Sequence, residues 1–323
     1  MTQKYIAVIG AGYWGKNLVR NFSELGVLHS ICDRNKVLLK QCQAEYAGVE
    51  ACEDYRELLV SDDIRAVAIA APALFHYEIV KAALMAGKDV LVEKPLALNL
   101  RQAKELTQIA DKQKRVLMVD HILQFHPAII KLKELIHRGE LGKLQYIYSN
   151  RLNIGKLRSE ENILWSFAPH DISVILSLVE EQPKKVDSFG QDYLQEGVYD
   201  TTMTMLSFSD RLRAHIFVSW LHPFKEQKLV VVGDKKMAVF NDMEEENKLV
   251  LYSHKVQWVH RIPVASKGQF EAVALEKKEP LKEACLHFLD CVAKRSRPRT
   301  DGKEALAVLM VLNQAQKKLD RGQ

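Results

Sequence analysis

The residues that most constrain the fold stand at the start of the chain, where a short apolar run gives way to closely spaced glycines. Tyr5 to Ile9 is nearly continuous in apolar and β-branched side chains, which is typical of a parallel strand buried on both faces. Gly10, Gly12 and Gly15 follow with the G-x-G-x-x-G spacing. Lys16 to Leu25 continues with helical periodicity. A strand, a glycine turn and a helix in this order predict a dinucleotide-binding turn.

Each of these glycines has its own steric reason. Gly10 permits a tight turn, Gly12 lets the backbone approach a pyrophosphate, and Gly15 lets the helix pack close to the strand. The first N–H groups of that helix form an anion site. Tyr13 and Trp14, which stand between the glycines, are therefore also predicted to contact the cofactor.

An acidic residue is expected about 20 positions after the glycines, at the end of the second strand. Val27 to Cys32 has strand character, and Asp33 closes it. A carboxylate there accepts both ribose hydroxyls and repels the 2′-phosphate of NADP, which favours NAD. Arg34 leaves another interpretation open, because arginine pairs with that phosphate or stacks on adenine, and Asp33 could also be a plain turn residue.

Strands and helices alternate up to about residue 120, which predicts an α/β fold with an N-terminal Rossmann domain, a doubly wound parallel sheet. Ligands bind such sheets at the carboxyl ends of the strands. Two further segments stand at predicted strand ends. They are the stretch from Ala71 and Pro72 to His76, and the tripeptide Glu93-Lys94-Pro95.

Past residue 120 the pattern changes to short alternating strands with turn-like connections. It predicts a C-terminal α+β domain with a large, mostly antiparallel open sheet. Helices expected at Pro169 to Val179, Leu281 to Ala293 and Glu304 to Leu319 should cover one face of that sheet. We therefore predict an NAD-binding Rossmann domain over residues 1–120 and a substrate-binding and oligomerisation domain over residues 121–323.

Composition excludes several classes of protein. The 46 lysines and arginines are spread among 41 acidic residues, so the formal net charge of +5 does not indicate a nucleic-acid stripe. Five cysteines without C-x-x-C spacing argue against a disulfide framework. The histidines lack a metal-binding spacing, so no metal is expected. No apolar run approaches the ~20 residues that span a bilayer, and no leader is recognisable, so we expect a cytoplasmic protein without membrane contact.

Two constellations are candidates for chemistry. Lys94 stands where a strand delivers its side chain to the cofactor crevice, and its ammonium could bind a substrate hydroxyl and stabilise the alkoxide-like oxygen. Pro169 is expected in the first turn of a helix, which would place His170 and Asp171 at the helix N-terminus. An imidazole there is kept neutral and ready as a base. The alternatives are a surface lysine and a packed histidine.

Together these motifs resemble the Gfo/Idh/MocA family of NAD(P)-dependent sugar and inositol dehydrogenases. The resemblance covers the whole chain and implies that Lys94 and His170 are the catalytic pair, with His170 as general base and the nicotinamide as hydride acceptor. Many family members carry an aspartate four residues before the histidine. This chain has Ser166 there, so the full triad is not carried over.

Within the family, the run from Ser149 to Arg158 and the segment from Trp165 to Asp171 resemble members that act on nucleotide sugars. This resemblance implies oxidation of the 3-hydroxyl of UDP-N-acetylglucosamine, on a 2,3-diamino sugar route to lipid A or O-antigen in lipopolysaccharide biosynthesis that continues with an aminotransferase. Arginine forks suit a diphosphate. The substrate candidates are His121, Arg151, Asn153, Arg158, Trp165, Ser166 and Asp171, with Lys156 beside the arginines.

Other interpretations stay open. The substrate could be the corresponding uronic acid, a free sugar or an inositol, and a basic loop could simply be solvated. A non-catalytic NAD-binding regulatory protein is the alternative of another class. His121 and His126 could be packing residues. The apolar alternation of the predicted open sheet favours a homodimer or homotetramer built on it.

Overall fold

The computed structural model describes residues 4–155, 157–159 and 161–320 of the chain. Its α-helices in these ranges are α1 (Gly15–Glu24), α2 (Lys36–Glu45), α3 (Tyr55–Val60), α4 (Ala73–Met85), α5 (Leu100–Gln113), α6 (Pro127–His137), α7 (Ile163–Val179), α8 (Pro280–Lys294) and α9 (Gly302–Leu319). Short 3-10 helices lie at Ile122–Phe125 and Ser209–Arg211. None of the described helices is long and apolar enough to cross a bilayer.

The strands fall into two groups along the chain. The first group is β1 (Ile6–Ile9), β2 (Leu28–Cys32), β3 (Glu50–Cys52), β4 (Ala66–Ile69), β5 (Asp89–Val92) and β6 (Leu117–Val119). The second group is β7 (Leu144–Leu152), β8 (Lys185–Gln191), β9 (Thr201–Ser207), β10 (Arg213–Ser219), β11 (Glu226–Gly233), β12 (Met237–Asn241), β13 (Leu249–Tyr252), β14 (Lys255–Val259), β15 (Ile262–Ser266) and β16 (Phe270–Ala272).

The chain divides into two compact units that are not contiguous in sequence. The first unit contains residues 1–125 and 279–309, and the second contains residues 126–278 and 310–323. The change of unit at residue 125 lies close to the border expected near residue 120. The return of residues 279–309 to the first unit was not foreseen, because a helix's apolar periodicity does not tell which sheet it covers.

The first unit is built on a parallel sheet with strand order β3-β2-β1-β4-β5-β6. Its central strands are completely buried, as the near-continuous apolar runs predict. Strand β3 was missed by the sequence analysis, since three residues are too few to show a period. The order places β1 next to β4, the point where the strand order reverses and where ligands bind in doubly wound sheets.

Helix α8 belongs to the first unit, where it packs against α1. Leu281, Cys285 and Phe288 of α8 are buried in one core with Leu18 and Phe22 of α1. The expectation that α8 covers the C-terminal sheet is therefore wrong. The spacing of its apolar residues predicted the buried stripe correctly, but the partner of that stripe is set by the tertiary fold.

The second unit is built on a sheet with strand order β16-β13-β12-β11-β7-β10-β9-β8. Its neighbouring strands are antiparallel except for β7 and β10, which are parallel. The open, mostly antiparallel sheet confirms the predicted fold class. Strands β14 and β15 form a separate hairpin, in which His260 and Arg261 adopt positive φ angles and reverse the chain.

The end of α8 is attached to the first sheet by an ion pair. Arg295, the C-cap residue of α8, donates to the two carboxylate oxygens of Asp89 at 2.6 and 3.0 Å, and Asp89 is buried at the start of β5. Asp89 also accepts a hydrogen bond from the Val116 backbone at 2.8 Å. Removing the guanidinium would leave the carboxylate with too few donors in a buried position.

We predict that Arg295→Ala lowers the free energy of unfolding by about 2 kcal/mol, because it leaves a buried carboxylate without its charged partner. Chemical denaturation measures this value. The control is Lys294→Ala, which removes the neighbouring exposed pair with Asp290 and should leave stability close to the parental value. Equal effects of the two substitutions would contradict the assignment of α8 to the first unit.

Candidate active site

The glycine turn joins β1 to α1 at very short range. A Cβ at Gly15 would overlap the carbonyl oxygen of Gly10, and a Cβ at Gly10 would lie 2.8 Å from the backbone of Ala70. Gly10 also has a φ of +92°, a conformation that favours glycine. A Cβ at Gly12, by contrast, would meet no atom of the chain within 4 Å. Gly10 and Gly15 are therefore required by packing, whereas Gly12 leaves space open at the surface of the turn.

The open space at Gly12 and the start of α1 fit a pyrophosphate. The N-cap residue of α1, Trp14, makes no side-chain capping hydrogen bond, and the first turn contains no acidic residue. The positive end of the helix dipole is thus not neutralised within the first turn and favours an anion. The residues present fit the phosphates of a dinucleotide.

Asp33 lies beside this turn, as its spacing in the sequence predicts. Its Oδ2 accepts a hydrogen bond from the Ala11 backbone at 2.8 Å, and its Oδ1 accepts one from the Asn35 backbone at 2.8 Å. The carboxylate is therefore fixed at the end of β2, next to the glycines. Arg34 lies over the ring of Phe75 in α4, with 5.6 Å between the guanidinium carbon and the ring centroid.

His76 joins two strand ends of the first sheet. Its ring nitrogens lie 2.7 Å from the Pro95 carbonyl oxygen and 2.8 Å from the Ala71 carbonyl oxygen, and the side chain is buried. Burial lowers the pKa of His76, and the two carbonyl contacts oppose that shift. The imidazole thus links the end of β4 to the loop after β5, which contains Lys94 and its cis peptide bond to Pro95.

Two buried carboxyl groups lie under that loop. Burial, together with Asp120, holds the pKa of Glu93 well above its usual range, and burial also raises the pKa of Asp120. The Lys94 charge opposes the shift of Glu93, so the ammonium lies within electrostatic reach. Two neighbouring buried carboxyls do not both ionise near neutral pH. Asp120 was missed by the sequence analysis, although it follows β6 directly and the strand-end rule would have included it.

His121, a sequence candidate for substrate contact, is buried in the first unit. Its Nδ1 lies 2.6 Å from Glu304 Oε2. His126, in the second unit, is the N-cap of α6, where its Nδ1 accepts a hydrogen bond from the Ala128 backbone at 3.1 Å. Both histidines thus have structural contacts, which was the alternative left open for them.

His170 lies inside α7 and not at its N-terminus. The helix begins at Ile163, with Asn162 as the N-cap accepting from the Trp165 backbone, and Pro169 is an internal residue. The expectation that Pro169 opens the helix is therefore wrong, because the Asn162 cap starts the helix one and a half turns earlier. His170 is therefore not at the helix N-terminus where the dipole is strongest.

The substrate candidates of the second unit occupy different surroundings. Asp171 is buried and accepts two hydrogen bonds from Arg151, while Arg158 pairs with Glu161 at 2.9 Å. A diphosphate would therefore have to share or replace carboxylate partners at both arginines. Lys156 lies outside the described residues.

Of the three remaining candidates, Asn153 follows β7, whereas Trp165 and Ser166 lie on α7. The Asn153 backbone donates to the Ser219 carbonyl at 3.1 Å, just beyond the end of β7. Trp165 Nε1 donates to Gln316 Oε1 at 3.0 Å, and Ser166 is buried one turn before His170. The structure thus brings Trp165, Ser166 and His170 onto consecutive turns of one helix.

A glycine turn at a helix N-terminus, an acidic residue at the end of β2 and a parallel sheet define a protein of the dinucleotide-binding class. Family profiles match both parts of the chain: the oxidoreductase family NAD-binding Rossmann fold of GFO/IDH/MocA over residues 4–121, and the GFO/IDH/MocA C-terminal domain over residues 129–239. The chain belongs to the Gfo/Idh/MocA family. The family, the fold class and the NAD cofactor expected from the sequence are confirmed.

Individual relatives are similar at low identity over most of the chain. UDP-N-acetylglucosamine 3-dehydrogenase from Acidithiobacillus ferrooxidans is 24% identical, covering 94% of this chain and 93% of that protein. Its crystal structure superposes with a TM-score of 0.85 over 99% of both chains at 22% identity. The structure of levoglucosan dehydrogenase in complex with NADH and levoglucosan superposes with a TM-score of 0.84 at 19% identity. It covers 99% of this chain and 98% of that chain. Myo-inositol 2-dehydrogenase from Thermotoga maritima is 24% identical, covering 76% of this chain and 77% of that protein.

We predict that Gly12→Ala and Gly15→Ala separate cofactor binding from stability. Gly12→Ala should leave the melting temperature within about 1 °C of the parent and weaken NADH binding at least ~10-fold, since the added methyl lies only where a pyrophosphate would approach. Gly15→Ala should lower the melting temperature, because its Cβ overlaps the Gly10 carbonyl. Fluorescence titration with NADH and thermal unfolding measure the two effects. Unchanged NADH affinity in Gly12→Ala would contradict this assignment.

Proposed function

We propose that this chain is an NAD-dependent sugar dehydrogenase that oxidises a secondary hydroxyl, most directly the 3-hydroxyl of UDP-N-acetylglucosamine, to a ketone. The observation that carries the proposal is the similarity to the Acidithiobacillus enzyme along nearly the full length of both chains. Lys94 after β5 and His170 on α7 support it, since both residue types suit hydroxyl oxidation. NAD, when bound, supplies the hydride acceptor.

Lys94 would act on the substrate oxygen. Its ammonium lies close enough to Glu93 to influence that carboxyl's pKa. A fixed positive charge lowers the pKa of a nearby hydroxyl and stabilises the negative charge that develops on its oxygen. The buried link from His76 to the Pro95 carbonyl holds the loop that bears Lys94, so the ammonium is positioned before substrate arrives.

His170 would remove the hydroxyl proton. Imidazole is the side chain whose ordinary pKa lies nearest neutrality, which makes it the natural acceptor for a proton at physiological pH. In this chain Ser166 stands one turn before His170, where a carboxylate is expected from the family resemblance. The base would therefore work without that negative charge beside it.

A nucleotide-sugar substrate would bring a diphosphate and leave as a 3-keto sugar. Arg158 is the more accessible candidate for the phosphates, because the Arg151 side chain is only 12% exposed. A 3-keto sugar is a substrate for transamination, so an aminotransferase on a 2,3-diamino sugar route would consume the product.

The alternatives fall into two classes, another substrate and a protein without turnover. The similarity to the levoglucosan and myo-inositol enzymes favours a small unphosphorylated polyol or sugar as the alternative substrate class, beside the UDP-linked uronic acid. Ser166 favours a non-catalytic NAD-binding regulatory protein, since it replaces the expected carboxylate. The two are distinguished by turnover.

The deciding experiment measures NADH formation from UDP-N-acetylglucosamine, its uronic acid, free N-acetylglucosamine, levoglucosan and myo-inositol. We expect the highest kcat/KM with UDP-N-acetylglucosamine. Lys94→Ala and His170→Ala should each lower kcat about 1,000-fold while NADH still binds, because each removes a group acting on the reacting hydroxyl.

Exposed residues of the same types serve as controls. Lys104→Ala on α5 and His137→Ala at the end of α6 should leave kcat unchanged. Turnover of an inositol or free sugar alone would transfer the proposal to that substrate class. Binding of NADH without turnover of any compound would favour the regulatory protein.

We further propose that the open face of the second sheet joins copies of this chain. Phe189, Met203 and Phe217 lie opposite one another in register on β8, β9 and β10, so they share one face of the sheet. Phe189 is 73% exposed and Met203 is 42% exposed. A contiguous apolar face of this kind is typical of a subunit interface.

Light scattering should therefore report a homodimer or homotetramer. Phe189→Asp combined with Met203→Asp should shift the protein to a smaller species, because the paired surfaces would then each carry buried like charges. Lys131→Asp, on the exposed face of α6, is the control and should leave the mass unchanged. A monomeric wild-type protein would refute the interface.

A further inference from the structure

Helix α7 is weakened at the point where it bears His170. Proline lacks a backbone N–H, so Pro169 cannot donate to the Trp165 carbonyl four residues earlier, and its ring crowds that carbonyl. Helices bend at such positions. The two residues that follow the break are His170 and Asp171. The helical hydrogen-bond ladder therefore lacks one bond directly before these two residues.

Asp171 is instead held by the sheet. Its Oδ1 accepts hydrogen bonds from Ser149 Oγ at 2.6 Å and Arg151 Nη2 at 3.2 Å, and its Oδ2 accepts one from Arg151 Nε at 2.7 Å. The Asp171 and Arg151 side chains are only 5% and 12% exposed. A two-pronged contact between a guanidinium and a carboxylate fixes direction as well as distance.

The two residues that hold Asp171 lie on β7, a strand that is paired on both sides. Ser149 and Arg151 are two residues apart on β7, so they point to the same face. β7 pairs with β11 on one side and with β10 on the other along most of its length. The donors that hold Asp171 therefore belong to the middle of the sheet and not to a loop.

A second layer of polar contacts fixes the guanidinium. With its amide oriented to match its neighbours, Gln227 accepts from Arg151 Nη1 at 3.2 Å and donates to Asp242 at 3.1 Å. Asp242 also lies 2.8 Å from Lys248 Nζ and 3.5 Å from His126 Nε2. Burial opposes ionisation of Asp242, but the contacts with His126 and Lys248 lower its pKa to about 2. The carboxylate at the base of the network is thus ionised at neutral pH.

We infer that the Arg151–Asp171 pair positions the imidazole of His170 by fixing the rotation of α7 just after the Pro169 break. The inference rests on the proposed role of His170 as general base. It makes Arg151 and Asp171 positioning residues, in place of the substrate contacts expected from the sequence. Adjacent helical residues are locked about 100° apart, so holding Asp171 in one direction sets the direction of His170.

Stability alone does not account for such a pair. Replacing a buried ion pair by apolar residues of similar size is often neutral or stabilising, whereas removing one partner is destabilising. A double replacement can therefore restore stability without restoring the direction of the His170 imidazole. That difference separates a positioning role from a structural one.

The experiment compares Asp171→Asn, Arg151→Lys and the double variant Arg151→Met with Asp171→Leu. We expect kcat to fall about 100-fold in Asp171→Asn and in the double variant, with NADH affinity and sugar KM unchanged, because a base displaced by about 1 Å loses that much rate. The double variant should regain the parental melting temperature but not its kcat. Arg151→Lys keeps the positive charge but cannot make the two-pronged contact. Its kcat should lie between that of the parent and that of Asp171→Asn.

The matched control is Glu134→Gln, which breaks the exposed pair with Lys131 on α6 and should change neither kcat nor melting temperature. Recovery of kcat together with stability in the double variant would overturn the inference. So would parental kcat in Asp171→Asn.

A second measurement does not depend on turnover. In protein labelled with 13C at histidine Cε1, the His170 signal is identified by its loss in His170→Ala. Asp171→Asn should broaden or split that signal and shift its titration midpoint, while the signal of His137 stays as in the parent. An unchanged His170 signal would overturn the inference even if no sugar is turned over, and a changed signal without turnover would remove only the proposed function.

Discussion

The close approach of α1 to the end of β1 is the contact on which the cofactor site depends. Gly15 lies so near the Gly10 carbonyl that no side chain fits between them. This contact directs the first turn of α1, which has no acidic residue and no side-chain cap, toward the space left open beside Gly12. Cofactor binding and packing of the first unit thus have a common origin, since the glycines that let the chain turn also place the positive end of the helix.

Polar groups also tie other strand ends of the first unit together. Asp33 reaches the glycine turn through the Ala11 N–H, and His76 links the ends of β4 and β5 through two carbonyl oxygens. Buried polar groups with their partners in place are rigid, because breaking such a contact leaves an unsatisfied group. The loop that bears Lys94 is therefore held from beneath by His76, next to the carboxyl pair of Glu93 and Asp120.

In the second unit, the candidate base His170 lies on a helix that contains Pro169. Rigidity there comes from β7, whose Arg151 and Ser149 hold Asp171. In both units a polar contact holds the segment that bears a candidate residue: His76 of α4 contacts the loop with Lys94, and Arg151 of β7 holds Asp171 next to His170. Ser166 stands where an aspartate is expected, one turn before His170. The carboxylate beside His170 is that of Asp171, which contacts Ser149 and Arg151 of the sheet.

The sequence by itself determined the parts of the protein that local chemistry dictates. The spacing of Gly10 to Gly15, the acid at position 33 and the strand ends predicted the Rossmann domain and its cofactor, since backbone sterics act within a few residues. Only the tertiary structure decided which partners the apolar and charged faces meet. Periodicity showed that α8 has a buried stripe, yet it could not tell that this stripe packs on α1. Likewise, no spacing rule relates Arg151 to Asp171, because that pairing exists only once the helix lies on the sheet.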